Sequence, residues 1–131
     1  MAKINFDPQS TVIALDITLE GVGGIKRKIK VALDTGATYT MIPWEIAEAL
    51  GYKPEISKEK VTLITASGVE TAPIIQVKKI RFLDEVSDNI EVVCHDLPSK
   101  SFVVGLLGSS FLRRFKITVD YPNGVLEISR K

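Results

Sequence analysis

Cysteine and histidine are almost absent from this sequence. Its 131 residues include one cysteine, Cys94, and one histidine, His95, so an intramolecular disulfide is impossible. The common zinc sites need several cysteine or histidine ligands, so we expect no metal of this kind and no other cofactor. One histidine beside one cysteine also disfavours Ser-His-Asp and Cys-His catalysis. We interpret Cys94-His95 as the end of a strand.

Excess charge and long apolar runs are missing as well. There are 17 Lys and Arg residues against 16 Asp and Glu, so nothing favours nucleic acid or an anionic membrane as the main partner. No segment approaches the roughly 20 apolar residues of a membrane span, and residues 1–7 do not resemble a signal peptide. We therefore expect a cytoplasmic protein, or a soluble part of a membrane-anchored one.

The segments that are present predict one all-β domain. Hydrophobic residues make up 45% of the chain, which is enough to form a core at this length. Short runs rich in Val, Ile, Leu and Thr alternate with Gly, Pro, Asn and Asp, which is typical of β-strands joined by turns. We expect residues 1–131 to form a single domain whose core covers roughly residues 11–129.

Turn residues between the apolar runs predict four strand pairs. The tip of the second pair, Ala66-Ser67-Gly68, contains a glycine that adopts positive φ easily. The third pair encloses a polar segment, residues 84–89, that we predict to be a loop. The pairs are 11–20 with 25–33, 61–65 with 69–77, 80–83 with 90–94, and 115–119 with 125–128.

Two short helices interrupt the strands. Residues 43–50 begin with Pro43, which is favourable in a first helical turn, and end before Gly51. A second helical turn is predicted through residues 111–114, with Ser109 or Ser110 as its N-cap.

The segment Asp34-Thr35-Gly36 comes directly after an apolar run, Val31–Leu33. On its own, such a segment is a common turn, because Asp bonds its own backbone and Gly accepts unusual φ and ψ angles. A second apolar run ends in Leu106-Leu107-Gly108, about 70 residues later. The two segments together are far more specific than either one alone.

In this order, the two segments resemble the motifs of the retropepsin-like aspartic proteases. Members of that family carry Asp-Thr/Ser-Gly-Ala/Ser after a buried strand, and later two hydrophobic residues and a glycine that pack beside it. Asp34-Thr35-Gly36-Ala37 and Leu106-Leu107-Gly108 match both motifs. The resemblance covers residues 11–129. It implies an all-β, closed barrel-like fold with one or two short helices and a flap hairpin.

The resemblance also implies roles for individual residues. Asp34 would be the catalytic carboxylate, and Thr35 and Gly36 would support its loop. The residues that it places against the substrate are Ala37, Thr38, Ala66, Ser67 and Gly68. The residues that it places at the base of the active site are Leu106, Leu107 and Gly108.

A single Asp-Thr-Gly segment implies a dimer. Catalysis in this family needs two carboxylates about 3 Å apart that share one proton, and this chain supplies one of them. The resemblance therefore implies a symmetric homodimer in which both Asp34 residues meet on the two-fold axis. It would be an aspartic endopeptidase that cleaves extended peptides with apolar side chains through an activated water. The segments 1–10 and 128–131 could pair across the dimer or stay free.

Two alternatives remain open at this point. The chain could be a dimeric peptide-binding or scaffolding domain of the same fold with little or no catalytic activity. It could also be a β-barrel of unrelated function in which Asp34 only makes a turn.

Overall fold

The chain folds mainly into β-strands. The computed structural model describes residues 2–66, 68–99 and 101–130. The strands are β1 (Ala2–Asn5), β2 (Ala14–Glu20), β3 (Lys26–Leu33), β4 (Thr40–Ile42), β5 (Lys60–Thr65), β6 (Gly68–Phe82), β7 (Glu85–Cys94), β8 (Gly105–Leu107), β9 (Phe115–Asp120) and β10 (Val125–Arg130). The helices are α1 (Trp44–Ala49) and α2 (Ser109–Leu112), with 3₁₀ turns at Val22–Gly24 and Pro54–Ile56.

Six of the strands form a closed ring. β3 pairs antiparallel with β2 and parallel with β8, and β4 lies between β8 and β7. β6 then pairs with β7 on one side and with β2 on the other, so the sheet closes on itself. This arrangement confirms the predicted all-β, barrel-like fold with short helices.

A long hairpin extends from the ring. β5 pairs with residues 68–73 of β6, whereas the rest of β6 pairs within the ring. We call residues 60–73 the β5–β6 hairpin. Near its tip, Ile64 is 88% exposed and its cross-strand partner Val69 is 72% exposed. The predicted second strand pair is confirmed, and Gly68 has the expected positive φ of 122°.

Both ends of the described chain join a separate three-stranded sheet in the order β1-β10-β9. The predicted pairing of β9 with β10 is confirmed. β1 pairs antiparallel with β10 of the same chain, from Ala2 opposite Ile128 to Asn5 opposite Val125. The N-terminal strand is therefore paired within its own chain.

The core of the protein follows from the two-residue period of the strands. In β2, Leu15, Ile17 and Leu19 are buried, while Asp16 between them is exposed. In α2, Ser110, Phe111 and Leu112 are also buried, and the ring of Phe111 lies edge-on to that of Phe115 with centroids 4.8 Å apart. This packing anchors α2 to the body of the domain.

Three local predictions are wrong. The polar residues 84–89 do not form a loop: β6 continues to Phe82, the chain turns at Leu83 with φ of 55°, and β7 begins at Glu85. Residues 85–89 lie in a strand because its neighbours accommodate them, as Ser87 is buried and accepts a hydrogen bond from Arg114. The predicted pairing of 80–83 with 90–94 is wrong for the same reason, since Ile80 pairs with Ser87 and Ile90 pairs with Val77. The N-cap of α2 is Gly108 rather than Ser109 or Ser110, since the Ser110 hydroxyl bonds elsewhere.

The ladder between β6 and β7 is interrupted at one position. Pairing skips Lys78 and Asn89, and Asn89 has a φ of 53°. The Lys78 N–H donates instead to the Tyr52 hydroxyl at 2.7 Å, and that hydroxyl donates to the Glu20 carbonyl at 2.7 Å. Burial raises the pKa of Tyr52 above its usual value, so the hydroxyl keeps the proton that it donates. Tyr52 therefore links β2 to the gap in the ladder.

Tyr52→Phe should lower the free energy of unfolding by about 0.5–1.5 kcal/mol, because the ring stays in place while both hydrogen bonds are lost. The measurement is urea denaturation followed by circular dichroism. Tyr121→Phe is the matched control, since the side chain of Tyr121 is exposed and its loss of a hydroxyl should change stability little. Equal effects of the two substitutions would show that the Tyr52 hydroxyl does not support the ladder.

Candidate active site

Asp34 lies at the end of β3, where the chain leaves the ring. Its backbone N–H donates to the Leu107 carbonyl at 3.0 Å, which extends the pairing of β3 with β8 by one residue. The Gly36 N–H donates to Asp34 Oδ1 at 3.1 Å, and the Ala37 N–H donates to the Asp34 carbonyl at 3.2 Å. These bonds hold the carboxylate in a tight turn.

The Asp34 turn presents its apex to solvent. Asp34 is half-buried, whereas Thr35 and Gly36 are exposed. A Cβ added at Gly36 would lie 3.5 Å from Asp34 Oδ1, an ordinary contact distance. Glycine at this position is therefore not required by a close approach of its backbone to the body of the domain.

At two other positions, glycine is required because the backbone lies very close to another backbone segment. A Cβ at Gly105 would lie 2.2 Å from the Met41 carbonyl oxygen, and a Cβ at Gly108 would lie 2.4 Å from the Tyr39 carbonyl oxygen. No side chain fits at either position without displacing backbone atoms. The β8 strand and the turn after it therefore pack directly against the segment that follows Asp34.

Buried hydroxyl groups stabilise the contact between this turn and the segment that follows Asp34. The Thr40 N–H donates to Ser110 Oγ at 2.9 Å, and the Ser110 hydroxyl donates to Thr40 Oγ1 at 3.1 Å. The Gly108 N–H also donates to Thr40 Oγ1 at 3.1 Å. Thr40 and Ser110 thus join the segment after Asp34 to the turn before α2, although they are far apart in sequence.

The backbone completes the same connection. The Ser109 N–H donates to the Ala37 carbonyl at 2.8 Å, and the Ser110 N–H donates to the Thr38 carbonyl at 2.9 Å. Both donors belong to the first turn of α2, whose N–H groups have no partners inside the helix. The short helix therefore uses its free donors to hold the segment that carries Ala37 and Thr38.

The residues predicted at the base of the site all lie beside Asp34. Leu106 pairs with Ala32 of β3 and with Met41 of β4, and it is half-buried. Leu107 is fully buried, and its carbonyl accepts the Asp34 N–H. Leu106 and Leu107 belong to β8, the strand between β3 and β4, and Gly108 follows them as the N-cap of α2.

The residues predicted to contact substrate occupy two places. Ala37 is half-buried and Thr38 is exposed, both directly after the Asp34 turn. Ala66 lies on the β5–β6 hairpin and lines a cavity of about 550 Å³. Gly68 opens β6 on the same hairpin, and Ser67 lies outside the described residues.

That cavity separates the hairpin from the body of the domain. Its lining is mostly apolar, with polar groups from Glu70, His95 and Asp96. The other lining residues are Met41, Leu63, Ile64, Ala66, Leu97 and Pro98. A space of this size, covered by a hairpin on one side, is suited to an apolar side chain of a ligand.

Several residues of this region carry no signal in the sequence. Thr40 and Ser110 meet only through the fold, and Ser110 matches the pattern of a helix cap equally well. Met41, Glu70 and His95 come together from three different strands or their ends. The hydroxyl residues that follow Gly36 are the one feature that could have pointed to Thr40.

The described residues contain neither a cluster of metal ligands nor a helix that could span a membrane. Within residues 2–66, 68–99 and 101–130, no three His, Cys, Asp or Glu side chains are grouped so that they could hold a metal ion. The helices in that part of the chain are too short or too polar to cross a bilayer. Cys94 ends β7 as predicted, and burial raises the pKa of its thiol to about 12.

Comparison with known proteins agrees with this geometry. A family model described as "gag-polyprotein putative aspartyl protease" matches residues 22–114, which is more than half of the chain. The structure is similar to a retropepsin-like aspartic protease from Rickettsia conorii, with a TM-score of 0.71 and 25% identity over 95% of this chain and 86% of that one. The chain therefore belongs to the retropepsin-like aspartic protease family.

A second solved structure supports the fold. The protease of Simian Foamy Virus (mac) is similar, with a TM-score of 0.50 and 20% identity over 77% of this chain and 92% of that one. A search of curated protein sequences finds no match. The family membership confirms the resemblance that rests on Asp34-Thr35-Gly36-Ala37 and Leu106-Leu107-Gly108.

Thr40→Val should lower the free energy of unfolding by about 1–3 kcal/mol, because it leaves the buried Gly108 N–H and Ser110 hydroxyl without their acceptor. Urea denaturation measures the change. Thr118→Val is the matched control, since Thr118 lies on the exposed side of β9. If both variants are equally stable, the hydroxyl pair does not hold the Asp34 segment.

Proposed function

We propose that this protein is an aspartic endopeptidase that is active as a symmetric homodimer. In this proposal Asp34 of each subunit supplies one of two catalytic carboxylates, and Thr35 and Gly36 support the loop that carries it. The family membership and the fold support a protease of this type. The observation that carries the assignment to Asp34 is its position at the end of β3, held by β8 and by the turn before α2.

The exposure of the Asp34 turn supports the dimer. A single Asp-Thr-Gly segment provides one carboxylate, so the other must come from outside the chain. Thr35 and Gly36 form an exposed apex beside that carboxylate. A second copy that presents the same apex about a two-fold axis would bring the two Asp34 residues together.

Two adjacent carboxylates would divide the chemistry between them. Two carboxylates about 3 Å apart cannot both be ionised, because their like charges repel each other. They share one proton, and the pair titrates as a unit. The ionised carboxylate takes a proton from a water molecule, and the protonated one donates to the carbonyl oxygen of the scissile bond. The water then attacks the carbonyl carbon. The Gly36 N–H, which donates to Asp34 Oδ1, fixes the orientation of this carboxylate.

The β5–β6 hairpin would act as the flap that covers the substrate. An extended peptide between the hairpin and the Asp34 segment can form main-chain hydrogen bonds and place alternate side chains in pockets. Ala37 and Thr38 are positioned on one side of such a peptide, and Ala66, Ser67 and Gly68 on the other. The mostly apolar cavity beside Met41 and Leu63 supports a preference for apolar side chains.

Asp34→Asn should abolish peptide cleavage, with a loss of at least about 100-fold, because an amide can neither share the proton nor activate the water. Cleavage of an unfolded protein substrate is the measurement. Asn keeps the side-chain oxygen that accepts the Gly36 N–H, so the turn and the fold should be retained.

Asp7→Asn is the matched control for this experiment. Asp7 makes the same kind of turn, since its Oδ1 accepts the Gln9 N–H at 2.9 Å, but it is exposed and far from the candidate site in sequence. Cleavage should be unchanged in this variant. Residual cleavage by pure Asp34→Asn protein, or equal losses in both variants, would contradict the assignment.

A second set of measurements distinguishes the proposed protease from a dimeric binding domain without catalysis. Sedimentation should show a dimer for the wild-type protein, and a statine-type transition-state mimic should inhibit cleavage. A dimer that binds peptides but neither cleaves them nor binds the mimic would favour the binding function. A strictly monomeric protein would favour the interpretation in which Asp34 only makes a turn.

A further inference from the structure

An ion pair connects the β5–β6 hairpin to the body of the domain near the tip of the hairpin. His95 Nε2 lies 3.5 Å from Glu70 Oε2. Glu70 is on the β6 side of the hairpin, and His95 follows the last residue of β7. The His95 backbone is fixed, because its N–H donates to the Ile42 carbonyl of β4 at 3.0 Å.

The position of Glu70 matters because the hairpin is otherwise fixed at its base. Ala72 and Ile74 are buried against Val93, and the partly buried Tyr39 packs against the same cluster. Glu70 lies two residues beyond Ala72, on the same face of β6 and about 7 Å further toward the tip. Leu63, the cross-strand partner of Glu70, packs against the same cluster. The contact at Glu70 therefore restrains the hairpin at the outer limit of the apolar cluster, next to the exposed Ile64 and Val69.

We propose that Glu70 and His95 are positioning residues that hold the β5–β6 hairpin against the body when His95 is protonated and release it when His95 is neutral. The consequence for cleavage rests on the proposed function, in which this hairpin covers the substrate. The contact itself does not depend on that function. The two parts can therefore be tested separately.

The chemistry of the two groups defines a pH range. Histidine is the side chain whose charge commonly changes within the physiological pH range, whereas carboxylates are ordinarily ionised there, so a change of pH in that range acts on the histidine partner of such a pair. His95 is the only histidine in the sequence. Changes in hairpin contact over this range can be attributed to it.

The neighbouring titratable groups do not oppose the mechanism. Asp96 lines the same cavity, and its carboxylate accepts the Trp44 N–H at 3.0 Å. Glu48 of α1 is also acidic, and its negative charge contributes to the raised pKa of Cys94, the residue before His95. The Cys94 thiol is neutral throughout this range, because burial raises its pKa to about 12. Glu70 and Asp96, the charged side chains that line this cavity together with His95, are therefore both acidic.

The strength of the ion pair between His95 and Glu70 suits a contact that opens and closes. The side chains of His95 and Glu70 are 26% and 46% exposed, so water and salt weaken their attraction. Pairs of this kind contribute about 0.2–1 kcal/mol, which corresponds to roughly a 1.4- to 5-fold change in the ratio of closed to open hairpin. Such a pair shifts the hairpin between two positions without fixing either one.

Amide hydrogen exchange of the hairpin tests the proposal without reference to activity. In the wild-type protein, the exchange of residues 61–64 and 68–71, corrected for the intrinsic dependence on pH, should slow roughly 1.4- to 5-fold as the pH falls from 7.5 to 5.5. The imidazole signals of the single histidine report its protonation state in the same samples. Repeating the measurement with Asp34→Asn removes any contribution from the carboxylate pair.

Glu70→Gln and His95→Gln should each abolish this pH response while keeping the size of the side chain. Asp88→Asn is the matched control, because it breaks a similar contact, between Lys79 Nζ and Asp88 Oδ1 at 3.6 Å, away from the hairpin tip. That variant should keep the response. An unchanged response in both Gln variants, or no response in the wild type, would overturn the proposal.

Kinetics with an oligopeptide substrate connect the contact to cleavage. Glu70→Gln should raise KM at pH 5.5 by roughly 1.4- to 5-fold, leave kcat nearly unchanged, and show the wild-type KM at pH 7.5. If no variant cleaves but hydrogen exchange responds as expected, the contact stands and the proposed function fails. If cleavage is normal but exchange does not respond, the proposed function stands and the contact fails.

Discussion

The site depends on the direct contact of two backbone segments. Gly105 and Gly108 allow β8 and the turn after it to lie against the carbonyl groups of Met41 and Tyr39, where no side chain would fit. This contact brings the start of α2 close enough to bind the segment that follows Asp34. The position of the Asp34 carboxylate is therefore a consequence of close packing elsewhere. A bulkier residue at either glycine would move the whole loop.

Features that depend on local sequence could be predicted, and features that depend on distant contacts could not. The β5–β6 hairpin follows from turn residues around Gly68, and Asp34-Thr35-Gly36 is visible as a motif. The hydroxyl pair of Thr40 and Ser110 joins residues from opposite halves of the chain, so no local pattern reveals it. Strand β7 was hidden for a related reason, because a distant arginine, Arg114, binds backbone oxygens in its polar segment.

Two aspartates in this chain show why a motif alone does not define a site. Asp7 and Asp34 each accept a hydrogen bond from the N–H two residues later, so their local turns are alike. They differ in what surrounds the turn. Asp34 continues a buried parallel pairing with β8, whereas Asp7 lies in an exposed segment between β1 and β2. The surroundings, and not the turn, make Asp34 a candidate for catalysis.

The segment around Thr40 that holds Asp34 and the β5–β6 hairpin need different kinds of interaction. Buried hydrogen bonds around Thr40 are costly to break, so they suit a carboxylate that must keep one position. A hairpin that covers a ligand has to open, and an apolar contact at Glu70 and His95 would hold it shut at every pH. A partly exposed ion pair is weak enough to open by thermal motion. In the proposed mechanism, charged groups at this position would let the hairpin move while its base stays packed.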